Sequence, residues 1–451
     1  MITTLTFQDF LSAENRENFV KKAIDEYKSS PAFNRITEME KYYMGGNPTL
    51  MSYFSKVKIE NQQIDVFAKI RVPSSIFNRI VLLQVNRLWY NGVQLDDVEK
   101  KRRLGKYFDK TAKDIATNAA VHGVCYGFWN YDGLEMLTAK NYFPLTDEKT
   151  GAHMAGISFW QVAEEKPLQI RLFELDGYTK YTRNGNGSVA VTEPKRAYKL
   201  STKSDALETV VVGDNYPGFP VLPMYANTRH ESELSTPIKS KIDLYDAILT
   251  TFGDSVLRTR AIYWVLEGMS GNIEHLTELR NTIERLGIIA PNGEATAKAE
   301  TIELPYSATM KFLEELEKAI FRDAVVTNPQ EIMGGNLTAT AVNASYHAEK
   351  LKVSDMEWNA ADFIDRLLAL IGVKNDSITF KHETISADAE ITQRLALYSE
   401  LDLETKLTID PLFAPEMVPD ILKRVEMEAL AMDGNKLETG DQVDGDESNE
   451  V

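Results

Sequence analysis

Several short strings in this chain carry residue types able to do chemistry, and each needs a particular spacing to do it. The run MGGNLTATAVN at 333–343 sets two glycines and small polar residues ahead of a stretch with helical periodicity. A phosphate cradle of the G-x-x-x-x-G-K-[ST] kind needs a lysine and a hydroxyl to reach phosphates and magnesium, and no lysine follows these glycines. Gly185-Asn186-Gly187-Ser188-Val189-Ala190 spells G-x-G-x-x-A, but it lies between strand-like YTKYT and VAVT and reads as a hairpin turn. His230-Glu231 and His382-Glu383 each lack the second histidine of a zinc-binding H-E-x-x-H. Gly268-Met269-Ser270-Gly271 lacks the last glycine of a nucleophile elbow. His122 stands near Cys125, a possible thiolate pair, and the plainer reading is a structural histidine at the start of a strand. Asp96-Asp97 and Asp243 with Asp246 read as solvated helix faces. The sequence therefore predicts no catalytic constellation, no metal site and no cofactor.

The elements that must position any site are legible in the composition and punctuation. A chain of 451 residues, 43% hydrophobic and 26% charged, has material for two to four core-bearing units. A net charge of −17 excludes a broad basic face for nucleic acid and allows only local, weak contact with DNA. The single cysteine excludes an intramolecular disulfide framework or a thiolate cluster. MITTLTFQDFLSAENR lacks the basic and apolar regions of a cleavable signal, and no apolar run approaches the ~18 residues of a membrane span, so a soluble protein with no membrane partner is expected.

From about 120 to 225, short apolar segments alternate with turn signals such as Asp176-Gly177 and Asn184 to Gly187, which predicts antiparallel β-meanders. Thr236-Pro237 then opens a helix whose apolar stripe is Ile238, Ile242, Tyr245, Leu249, Phe252 and Val256, with Thr236 as its cap. Residues 261–305 hold a strand-like AIYWVLEG, a short helix near Leu276 to Leu286 and a turn, a small α/β insert. A second helix begins at Ser307 and ends at Asn328-Pro329. A third, from Leu337 to Ile371, would be about 50 Å long at ~1.5 Å per residue. SITFKH reads as a strand, residues from about 388 to 432 as helices, and DGNKLETGDQVDGDESNEV as an acidic tail with little intrinsic structure.

That order of parts resembles the portal proteins of tailed double-stranded DNA bacteriophages. GDNYPGFPVLPMYANTRHESELS running into PIKSKIDLYDAILTTFGDSV is similar to the family's passage from wing into stem, and MGGNLTATAVNASYHAEKLK to its tunnel loop and the head of its long helix. SITFKHETISADAEITQRLALYSELDLETKLTIDPLFAPEMVPDILKRVEMEAL is similar to its closing section, and NYFPLTDEKTGAHMAGISFWQVAEEKPLQIRLFELDGYTKY to a wing segment. Two departures stand out: the usual S-G-x-A at the long helix is Leu337-Thr338-Ala339-Thr340 here, and residues 1–110 carry only KYYMGGNP as an echo.

The resemblance implies an α+β portal fold with helical stem, α/β clip, β-rich wing, long helix and helical crown. It places the wing at 1–234 with 372–387, the stem helix at 235–260, the clip at 261–305 and the second stem helix at 306–327. The tunnel loop falls at 328–338, the long wing helix at 339–371, the crown at 388–432 and an acidic flexible tail at 433–451. A ring of about twelve copies at one capsid vertex follows, passing double-stranded DNA without base readout. Gly334, Gly335, Asn336, Leu337 and Thr338 would line its narrowest part. Lys239, Lys241 and Arg258 fall on the stem. Tyr263 and Trp264 are either interface anchors on the clip or its core. The implied partners are the terminase large subunit, a head-completion or adaptor protein, and the major capsid and scaffolding proteins. The implied places are the virion and, during assembly, the host cytoplasm. Two rival readings remain: another virion structural protein, such as a minor head or adaptor protein, which would not need this order of parts, and an unrecognised hydrolase, which would need a cleft holding a perturbed histidine or carboxylate.

Overall fold

Helices α1 (Phe7–Ser12), α2 (Arg16–Ser29), α3 (Pro31–Tyr43) and α4 (Pro48–Tyr53) open the chain. Strands β1 (Val57–Ile59) and β2 (Gln62–Ile64), helix α5 (Ile76–Trp89), strand β3 (Val93–Leu95) and helices α6 (Val98–Arg103) and α7 (Phe108–His122) follow. The β-rich stretch comes next: β4 (Val124–Asn130), β5 (Gly133–Thr138), β6 (Tyr142–Thr146), β7 (His153–Trp160), β8 (Leu168–Glu174), β9 (Gly177–Arg183), β10 (Val189–Arg196), β11 (Lys199–Ser204), β12 (Thr209–Asp214) and β13 (Val221–Tyr225). Helix α8 (Thr236–Arg258), strands β14 (Tyr263–Glu267) and β15 (Thr296–Glu300), helices α9 (Tyr306–Ala324) and α10 (His347–Leu370), strand β16 (Ile378–Phe380) and helix α11 (Leu403–Ile409) complete the named elements. The computed structural model describes residues 5–53, 57–59, 62–64, 70–130, 133–185, 187–204, 209–258, 263–267, 296–300, 306–328, 347–374, 377–380, 402–409 and 418–427. The chain forms two compact units, one made of Met1–Glu40, Arg79–Glu233 and Val325–Val451, the other of Lys41–Asn78 and Leu234–Ala324.

In the first unit, turns too short for crossovers force antiparallel pairing, and β10-β9-β8-β7-β6 form one five-stranded meander. The string at 185–190 joins β9 to β10, with Asn184 N–H donating to Ser188 O at 3.0 Å, so it is the expected hairpin. One face of this sheet, with Phe143, Ile157, Ile170 and Leu172, is covered by Phe19, Val20, Ala23, Ile24 and Tyr27 of α2. Each large apolar side chain closed off in this way is worth ~1.5–3 kcal/mol. A second sheet, β13-β4-β5, packs against α7 and α10.

Two glycines shape that packing. Gly123 ends α7 in the left-handed region at φ 90°, and a Cβ there would stand 2.7 Å from His230 O, so the chain turns from helix to strand within one residue. Gly127, on β4, lets α10 approach the sheet; a Cβ there would stand 2.5 Å from Cζ of Phe363. The inward stripe of α10 is Val353, Met356, Ala360, Phe363, Ile364 and Leu367, as its periodicity predicts.

Helix boundaries move slightly from the sequence expectation. Lys239 N–H donates to Ser235 O at 2.9 Å, so Ser235 caps α8 and Thr236 is already helical. Helix α9 starts at Tyr306 and stops at Ala324, short of Asn328, because Val325 adopts φ 54°, an unusual conformation for a β-branched residue. The SITFKH strand is β16, antiparallel to β3. Helix is found at α11 and at 418–427; the short helix expected near Leu276 to Leu286, the start of the long helix at 337–346 and the tail at 433–451 lie outside the described residues.

Candidate functional site

In the second unit, α8 and α9 run antiparallel: Lys241, early in α8, pairs with Asp323 at the end of α9, while Phe252, late in α8, meets Tyr306 at the start of α9 with ring centroids 5.5 Å apart. The hairpin β14–β15, with Tyr263 opposite Glu300 and Trp264 opposite Ala299, lies between these helices in sequence. The side chains of Tyr263 and Trp264 lie outside the described residues, as does that of Arg258, the last residue of α8.

The buried line on α8 is Ile238, Ile242, Asp246 and Thr250, spaced four apart. Asp246 is fully buried, which corrects the expectation of a solvated face. Its carboxylate accepts from Asn47 Nδ2 at 2.7 Å and from Ser74 N–H at 2.9 Å, and Val72 N–H donates to Thr250 Oγ1 at 3.0 Å. Tyr42 Oη donates to Asp243 at 2.5 Å, and Asn47 Oδ1 accepts from Leu50 N–H at 2.9 Å. A polar clamp thus fastens residues 42–50 and 72–74 onto the middle of α8. Burial raises the Asp246 carboxyl above the usual carboxylate range against the pull of these donors, and Asp243 adds to the rise. Of the sequence-named stem cations, Lys239 lies 3.3 Å from Asp243 Oδ2 and 3.3 Å from Thr49 Oγ1, and Lys241 is paired with Asp323.

The glycine-rich segment, including Gly334, Gly335, Asn336, Leu337 and Thr338, lies outside the described residues, but the chain on either side of it is held in the first unit. Thr327 N–H donates to Glu349 Oε2 at 3.0 Å, and Glu349 Oε1 lies 3.6 Å from the guanidinium of Arg87, both side chains being 10% exposed or less. Lys352 pairs with Glu233 at 2.5 Å, and Glu233 also accepts from Asn227 Nδ2 at 3.0 Å. The start of α10 is therefore tied to α5 and to the loop before α8 by two ion pairs with buried carboxylates. Sequence reasoning missed both carboxylates. Glu349 stands in phase with the buried stripe four residues before Val353, a charged residue at an apolar position, and that is the signal that marks it.

The remaining sequence candidates do not assemble into a reactive centre. Cys125 is fully buried, its thiol donates weakly to Leu137 O at 3.4 Å, and burial pushes its pKa up, away from thiolate chemistry. His122 is the last residue of α7 and not the start of a strand; it is buried with no hydrogen bond at either ring nitrogen. Its pKa is lowered to about 4, chiefly by burial, with Glu40 raising it and Lys140 lowering it. His230 stacks on Tyr225 with ring centroids 3.6 Å apart. Asp97 caps α6, accepting from Glu99 N–H at 2.8 Å, and Asp96 pairs with Lys100. His382 and the 268–271 string lie outside the described residues. Among the described residues no group of three His, Cys, Asp or Glu is placed to hold a metal, and no helix is long and apolar enough to cross a membrane.

The buried histidines set a pH dependence. His153, lowered to about 3 by burial and bonded to Tyr142 Oη at 2.6 Å, behaves like His122. Both rings resist protonation in the fold and accept it when unfolded, so the unfolded chain binds more protons from about pH 6.5 down to their folded pKa values. Stability is complete above that window and is lost as pH falls through it. The His122 displacement alone corresponds to about 3 kcal/mol when fully expressed. Asp246, with a raised pKa, works in the opposite sense and offsets part of the loss in acid. Urea midpoints should fall from pH 7 to pH 4.5, and His122→Leu should flatten the slope; an unchanged slope would show that His122 is solvated in the fold.

A helical pair with a β-hairpin set between its members in sequence, then a glycine-rich segment with held ends, then a long helix laid on an antiparallel sheet, is the plan of a portal-type structural protein of a virus particle. The chain belongs to the family described as "Phage portal protein, SPP1 Gp6-like", which matches it over residues 24–403. It is 23% identical over 288 residues to the portal protein of Clostridium phage phiCD119, covering 59% of this chain and about 62% of the length of that relative. Among solved structures it is similar to a chain in the neck of an empty GTA particle computed with C6 symmetry, with a TM-score of 0.39 at 11% identity over 74% of this chain and 90% of that one. A chain in the virion of a native gene transfer agent particle gives a TM-score of 0.33 at 10% identity, over 74% and 89% of the two chains.

Proposed function

We propose that this chain forms a closed ring of about twelve copies at one capsid vertex, through which the genome is packaged and later ejected. The observation that carries the reading is the family match over 24–403, which spans both stem helices, the β-hairpin, the glycine-rich segment and all of α10. Gly334 to Thr338 line the narrowest part of the channel and meet the duplex through small polar groups, without base readout. The clip at 261–305 docks the terminase large subunit first and a head-completion or adaptor protein afterwards. Major capsid and scaffolding proteins are its partners at the vertex, and assembly takes place in the host cytoplasm before the ring becomes part of the virion.

Electrostatics support passage without sticking. At −17 per chain, a ring of about twelve carries roughly two hundred formal negative charges, a balance that disfavours broad sticking of phosphate. The stem lysines Lys239 and Lys241 do not oppose this, since each is neutralised within its own chain. A structural role fits the one thiol, which burial holds protonated and to which His122 makes no hydrogen bond among the described residues.

End-on electron-microscopy class averages of the purified protein test the ring. Closed rings of about twelve around a duplex-wide opening are expected, and compact monomers or dimers at micromolar concentration would overturn the reading in favour of an adaptor or minor head protein. The double substitution Gly334→Val/Gly335→Val should leave the rings intact and sharply reduce packaged DNA. Loss of the rings in this variant would place the segment in the subunit core.

A further inference from the structure

The corner between α6 and α7 is the opposite in charge to the chain that carries it. Residues 98–113 read VEKKRRLGKYFDKTAK, seven Lys or Arg against two Asp or Glu, in a protein of net charge −17. Three of these cations are already committed. Lys100 pairs with Asp96 at 2.7 Å, Lys101 with Asp109 at 2.5 Å and with Val93 O at 2.7 Å, and Arg102 with Glu99. The other four, Arg103, Lys106, Lys110 and Lys113, make no ion pair among the described residues.

The backbone that presents them is held from below. Leu104 and Phe108 are 1% and 2% exposed, Lys101 Nζ stands 5.5 Å from the Phe108 ring centroid, and Gly105 turns the chain at φ 87° with Phe108 N–H donating back to Gly105 O at 3.2 Å. With the apolar residues turned inward, Arg103, Lys106, Tyr107 and Lys110 face solvent, Tyr107 being 69% exposed. Lys110 and Lys113 stand three apart on α7, neighbours ~5–6 Å from one another on the helix surface. Like charges at this spacing repel, and an anion from outside relieves them. Leu104 and Phe108 point inward while Val98 and Tyr107 are exposed, and an acidic peptide would have to match its carboxylates to the spacing of these four cations. A duplex needs no such match, because its phosphates recur every ~3.4 Å along each strand whatever the sequence.

We propose that the α6–α7 corner is a contact for the phosphate backbone of double-stranded DNA, independent of sequence and distinct from the residues 334–338 assigned to the channel. Arg103, Lys106, Lys110 and Lys113 are its cations. This surface does not depend on the ring reading.

The test uses the full chain and covalently closed circular duplex DNA, which has no free end to enter a channel. Four phosphate contacts give a slope of about −3.6 in log K against log salt, a loss on the order of a hundredfold between ~50 and ~200 mM. The variant Arg103→Gln/Lys106→Gln/Lys110→Gln/Lys113→Gln should lose that affinity and slope. A control with the same change in net charge, Lys166→Gln/Lys350→Gln/Lys374→Gln/Lys423→Gln, should retain both. Equal binding by the two variants would overturn the proposal, as would wild-type protein that binds polyglutamate but not DNA. Ring counts in the same samples report separately on the channel reading, so the two can fail independently.

Discussion

Replacing Glu349 by alanine is expected to cost about 3–5 kcal/mol of folding stability, because it leaves the Arg87 guanidinium charged and buried without its carboxylate. Arg87 is 8% and Glu349 3% exposed, so little solvent is available to screen the charge that remains. The same substitution removes the acceptor of Thr327 N–H, a further loss of about 1 kcal/mol or more. Removing both charges, as in Arg87→Met/Glu349→Leu, should recover much of the loss, since an apolar pair of similar volume avoids the cost of dehydrating two ions. Urea denaturation of Glu349→Ala and of the double variant measures this directly. A cost below ~1 kcal/mol for Glu349→Ala would mean that water reaches the pair.

If the chain forms the proposed ring, Trp358→Glu is expected to abolish it while leaving the subunit folded. Trp358 is 74% exposed and Leu351, two turns earlier on the same outer face of α10, is 64% exposed; the buried stripe faces the other way. Large apolar side chains left facing water in this alignment fit an interface with a neighbouring copy, where a buried tryptophan is worth about 2–4 kcal/mol. A surface change of this kind should move subunit stability by no more than ~0.5 kcal/mol. Sedimentation velocity and electron microscopy of the same sample separate the two effects. Rings persisting at the wild-type proportion would place Trp358 outside the interface.

What the sequence made legible was what local pattern controls. The meander from β6 to β10 follows from apolar runs between tight turns, and the inner face of α10 from apolar residues at helical spacing, whereas the pairing of β13 with β4 joins distant segments and has no local signal. The reading failed where a polar residue sits on an apolar line. Asp246 continues the row of Ile238 and Ile242, and Glu349 precedes Val353 in the same way. Their positions marked them as buried, while their charge marked them as solvated. Partners far along the chain decide between the two: Asn47 and Ser74 for Asp246, Arg87 for Glu349. No local pattern announces a contact across roughly two hundred residues, and the same limit hid how residues 41–78 join α8 and α9 in one unit.

The hold on both sides of the glycine-rich segment has a mechanical meaning. Thr327 and Glu349 are bonded to each other across 22 positions of chain. A pull on the intervening segment reaches the fold along the backbone of both limbs, and this bond together with the Glu349–Arg87 pair keeps the two points of entry side by side. The chain is closed at this point into an eyelet whose neck is pinned to α5 through Arg87.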